Sequence, residues 1–228
     1  MNTRIKSTAI AAAVAGLFAA QPAMADNLTF NGFANGSVSA TIYNTPSPVG
    51  GNPTTVSAGG FSMTNTTAGG TFQAWCVDIF SWLRTSSTPY TLTAGSTFFD
   101  STKATALERL ASNNLASVTG NASNSAAFQL AVWEIVNETT SSYNISSGTF
   151  YATSSAATVT VANTMLSGLG TATPTMTLSV WKEVPNYTTQ DLAVFAPVPE
   201  PETYAMMLSG LGLMGFVARR RKQEPEYA

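Results

Sequence analysis

The chain has 228 residues, of which 44% are hydrophobic and only 10% charged, with a formal net charge of −2; a soluble domain ordinarily carries about 25% charged residues. It has no histidine and a single cysteine, Cys76. That excludes His-based acid–base catalysis, Ser-His-Asp and Cys-His nucleophile systems, His metal sites, an intrachain disulfide and a multi-cysteine zinc site.

Residues 1–25 read as a secretory signal peptide. Arg4 and Lys6 give the positive start, Ala9 to Ala20 the apolar stretch, and Ala23-Met24-Ala25 the cleavage site. The mature domain is expected over 26–197. It holds four basic residues (Arg84, Lys103, Arg109, Lys182) against eight acidic ones, a net charge of −4. No basic patch for nucleic acid exists there.

Asn27 to Tyr43 alternates with Leu28, Phe30, Val38 and Ile42 inward and predicts two strands joined near Asn35-Gly36. Asn44 to Gly60, with three prolines and two glycine pairs, predicts a loop. Phe61 to Phe80 predicts a hairpin broken at Ala68-Gly69-Gly70. The period then changes. Thr102 to Val118 puts Leu107, Leu110, Ala111 and Val118 on one helical face, capped by Asp100 or Ser101. Ser123 to Glu138 does the same with Phe128, Ala131, Val132 and Ile135, capped by Asn121 or Ser123. Ser155 to Leu169 is a third helix, weakened by its β-branched run. Strands return over Thr175 to Val184 and Asp191 to Ala196. The expected fold class is α+β: a single domain of antiparallel strands with a helical insertion.

Residues 198–228 form a second address. Pro199-Glu200-Pro201 precedes a charge-free run over 203–218, and Arg219, Arg220, Arg221 and Lys222 follow. As a helix the run would span about 24 Å, slightly short of a bilayer core, with the basic cluster on the cytoplasmic side. These three parts resemble the PEP-CTERM sorting signal of Gram-negative bacteria, whose C-terminal motif is also known as an ice-binding protein C-terminal domain. The resemblance implies secretion, transient membrane anchoring through 203–218, recognition by an exosortase, and release to the envelope, surface or extracellular matrix.

Cys76 lies in Phe72-Gln73-Ala74-Trp75-Cys76-Val77-Asp78-Ile79-Phe80, which as a strand is apolar on both faces and therefore central. One reading makes Cys76 a small buried hydrophobe. Yet a lone thiol in an oxidising compartment is also the only strong side-chain nucleophile this chain owns. Trp75-Cys76-Val77-Asp78, followed by Phe128-Gln129-Leu130-Ala131-Val132-Trp133, resembles the paired motifs of bacterial thioester domains. That resemblance implies a bond from the Cys76 sulfur to the Gln129 side-chain carbonyl, with loss of ammonia. Trp75, Asp78, Phe128, Ala131 and Trp133 would be the surrounding motif residues. The bond would acylate amines of surface proteins or of exopolysaccharide; no metal, cofactor or enzymatic turnover is implied. The competing expectation is a non-covalent structural or binding protein of the polysaccharide matrix or envelope, with Cys76 and Gln129 as core. Glu134 is expected to be solvated.

Overall fold

The computed structural model describes residues 25–184, 188–198 and 206–214. Most of the signal peptide, together with Pro199, Glu200, Pro201, Arg219, Arg220 and Arg221, therefore lies outside the described residues. Residues 206–214 are helical and exposed. Among the described residues no helix is long and apolar enough to cross a membrane. The rest of the run expected to span lies outside them.

The strands are β1 (Asp26–Phe33), β2 (Val38–Asn44), β3 (Thr54–Ala58), β4 (Phe61–Asn65), β5 (Thr71–Cys76), β6 (Thr88–Ala94), β7 (Phe150–Thr153), β8 (Met176–Glu183) and β9 (Leu192–Pro197). The helices are a single turn α1 (Gly95–Phe98), then α2 (Ser101–Asn114), α3 (Ala122–Asn137) and α4 (Ala156–Ser167). Six strands close into an antiparallel barrel in the order β1-β4-β5-β9-β8-β6, and β3-β2-β7 form a separate antiparallel sheet. The domain is thus a mixed one of antiparallel strands and few helices.

The helices start where their capping residues place them. Asp100 accepts from the backbone N–H of Thr102 and Lys103, Asn121 from that of Asn124, and Ser155 from that of Thr158. Three expectations are corrected. β1 and β2 do not form a hairpin, because β1 joins the barrel while β2 pairs with β3 and β7. The expected loop 44–60 contains β3, an edge strand starting just after Pro53, where a proline disturbs no ladder. The hairpin over 61–80 does form, with Phe61 opposite Ala74, but β5 stops at Cys76.

Helix α3 positions the site. It packs against α2, α4, β5 and the β3-β2-β7 sheet, and every residue from Ser125 to Ile135 is buried. A helix enclosed on all sides needs apolar residues around its whole circumference, which a one-face reading of its periodicity does not anticipate. Glu134 is inside with them, fully buried and not solvated.

Candidate functional site around Cys76 and Gln129

Strand β5 runs between β4 and β9, but its two neighbours cover different lengths of it. β4 begins at Phe61, opposite Ala74. β9 accompanies Trp75 and Cys76, opposite Ala193 and Leu192. In an antiparallel ladder successive residues turn their N–H and C=O groups to alternate sides. Val77 N–H reaches the Asp191 carbonyl on the β9 side, so the Cys76 groups face the edge that β4 has already left.

Gln129, 53 residues away on α3, fills that edge. Its Oε1 accepts from Cys76 N–H at 3.0 Å, and its Nε2 donates to the Cys76 carbonyl at 2.8 Å. The carboxamide acts as one peptide unit of a missing strand. Both residues are buried, Cys76 at 0% and Gln129 at 1% exposure. The Cys76 thiol donates to the Asp78 carbonyl at 3.0 Å. Burial pushes its pKa up to about 12; the nearby Trp133 side chain opposes the rise, and the Asp78 and Asp191 carboxylates add to it.

The remaining motif residues take distinct places. The Trp75 and Phe128 rings lie 4.4 Å apart at 48° and are buried beside the pair. Ala131 is buried on α3. Trp133 is 4% exposed, and its indole N–H has no hydrogen-bond partner of regular geometry. Asp78 points elsewhere: its Oδ1 accepts from Phe80 N–H and shapes the turn after β5. It reaches Cys76 through its backbone carbonyl.

Two groups have no counterpart in the sequence reading. Asp191 precedes β9 and sits near Asp78 and Cys76; burial raises its pKa to about 6, although it accepts from Glu183 N–H. Gln190 has a buried Oε1 without a partner. Both come from the segment leading into β9, the strand beside β5, and no local pattern marks them as partners of the site. Further along α3, Glu134 accepts from Asn144 N–H, and burial raises its pKa to about 7. Among the described residues no cluster of three or more acidic, Cys or His side chains could hold a metal ion.

Residues 197–222 match the PEP-CTERM protein-sorting motif, a signal that indicates export and sorting to the envelope or surface. That motif is a signal read by an exosortase, a processing partner in the membrane. Among solved structures, the chain is similar to the N-terminal thioester domain of a surface protein from Clostridium perfringens. Identity is 12% and the TM-score 0.43, over 69% of this chain and 99% of that one. It is similar also to a cysteine-to-alanine mutant of that domain, with 12% identity and a TM-score of 0.44 over 61% of this chain and 89% of the other. No curated protein sequence matches.

Proposed function

We propose that the domain forms an internal thioester between Cys76 and Gln129 and uses it to attach the exported protein covalently to amine groups on a surface or matrix. The observation that carries this reading is the double hydrogen bond by which Gln129 is held against Cys76. A primary amide is a poor electrophile unless it is held at near-attack geometry with its oxygen polarised. Here Cys76 N–H already donates to Oε1.

In the forming step the Cys76 sulfur adds to the Gln129 side-chain carbon. The thiol proton passes to Nε2, the C–N bond breaks, and ammonia leaves. The buried surroundings of Trp75 and Phe128 exclude water and protect the bond from hydrolysis. In the attachment step a partner amine adds to the same carbon, an amide forms, and the thiol returns to Cys76. The Trp133 indole N–H, a buried donor without a partner that favours the Cys76 thiolate, suits a leaving sulfur. Each molecule reacts once, so this is attachment and not enzymatic turnover.

The test is the intact mass of the exported chain with and without methylamine. A mass short by one ammonia, converted by methylamine to the Gln129 methylamide with a free thiol, is the expected result. A mass equal to the sequence, with no methylamine effect, would leave Cys76 as core. It would favour a non-covalent structural or binding protein of the matrix, and the full burial of the thiol is consistent with that second reading.

A further inference from the structure

A cleft of about 320 Å³ opens between the β3-β2-β7 sheet, β1 and β4 of the barrel and the segment that follows β5. Its walls include Phe33, Phe61, Trp82 and Leu83, and Trp133 and Gln190 also line it. No lining residue carries a formal charge. The two orphaned atoms of the preceding site belong to these last residues: Trp133 offers a buried donor, and Gln190 Oε1 a buried acceptor. Trp133 belongs to the cleft and to the surroundings of the thiol alike. Trp82 stands at 56% exposure, a large aromatic presented to solvent.

We infer that this cleft receives the acyl acceptor, and that it selects a primary amine carried on an apolar, uncharged stem, aromatic or alkyl. The inference rests on the thioester reading above. Gln190 Oε1 accepts from the incoming amine N–H. The stem lies against Phe33, Phe61 and Trp82. A stem with a carboxylate or a second ammonium would lose hydration there without finding an opposite charge, and such uncompensated burial is costly. Buried unpaired polar atoms are uncommon and call for a partner; an amine nitrogen supplies one for Gln190.

The experiment measures labelling of the full chain by intact mass with three amines: methylamine as reference, phenethylamine and glycine. Relative to methylamine, phenethylamine is expected to react roughly tenfold faster than glycine, within the range an apolar pocket achieves. Trp82→Ala should remove most of that preference, and methylamine labelling of the variant reports that its bond has formed. Gln190→Ala should slow all three amines. Labelling by methylamine with no preference among stems, or a preference that survives Trp82→Ala, would overturn the cleft's role while leaving the thioester standing. Absence of methylamine labelling would overturn both.

Discussion

Gln129 pairs with Cys76 as a neighbouring strand would, taking both its N–H and its C=O at 3.0 and 2.8 Å. The arrangement exists because β4 begins only at Phe61, opposite Ala74, and does not reach that stretch of β5. One side chain therefore does structural work while it remains an amide and offers an electrophilic carbon beside a thiol. The two roles make separable predictions.

Gln129→Ala leaves two buried backbone groups of Cys76 without partners. Each unsatisfied buried group costs about 1–3 kcal/mol, so the variant should lose roughly 2–6 kcal/mol in urea unfolding, in addition to any methylamine reactivity. Gln129→Glu keeps the acceptor for Cys76 N–H but turns the Nε2 donor into an oxygen facing the Cys76 carbonyl. It should be destabilised also, more so as pH rises and the carboxylate ionises. A stability unchanged in Gln129→Ala would mean that the clasp contributes nothing.

Wherever the thiol is free, it should be inert in the folded chain. Cys76 is fully buried, and its pKa lies near 12, while alkylation requires the thiolate. Iodoacetamide at about pH 8 should modify it only in denaturant, with native-state modification slower by about a hundredfold or more. Rapid alkylation under native conditions would contradict the burial of Cys76.

Much of this arrangement was legible in the residues. Asp100 and Asn121 announce their helices through the oxygen each supplies to the first turn, and that signal is local. The nearness of Cys76 and Gln129 came only from motif resemblance, because 53 residues and a barrel closure separate them. β6 and β7 went unread. β7 has four residues, and β6 mixes threonines with Pro89 next to the β1 pairing, so neither gives a long alternating run. Glu134 misled for a different reason. A glutamate on a helix ordinarily marks the solvent face, but the backbone N–H of Asn144, from the connection before β7, comes in to meet it.

Gly148 is the point where that connection is pinned. Its φ is +135°, and an added Cβ would land on the Glu138 carboxylate, which accepts from Thr139, Thr140 and Thr149 N–H. Gly148→Ala should cost about 1–3 kcal/mol from backbone strain alone and release the Glu138 contacts. Urea midpoints would show this, and hydrogen exchange at Thr149 should rise. An alanine tolerated without loss would mean that the loop has room to move.

The pH dependence follows from the same region. Burial raises Glu134 to about 7 and Asp191 to about 6, both above their ordinary carboxylate values. Between the unfolded and folded pKa values the native state holds more protons than the unfolded chain, so stability falls as pH rises. For these two groups the loss begins near the ordinary carboxylate range and is complete a little above pH 7. Glu138 has the opposite sign: its backbone hydrogen bonds lower its pKa, so its contribution is lost as pH falls below the carboxylate range. Stability should therefore peak at about pH 5 and decline toward about pH 8. Glu134→Gln keeps an acceptor for Asn144 N–H and removes the buried charge, so it should flatten that decline and raise the urea midpoint at about pH 8. A wild-type midpoint that rises steadily from about pH 5 to 8, or a Glu134→Gln variant with an unchanged slope, would show that Glu134 does not titrate within this range.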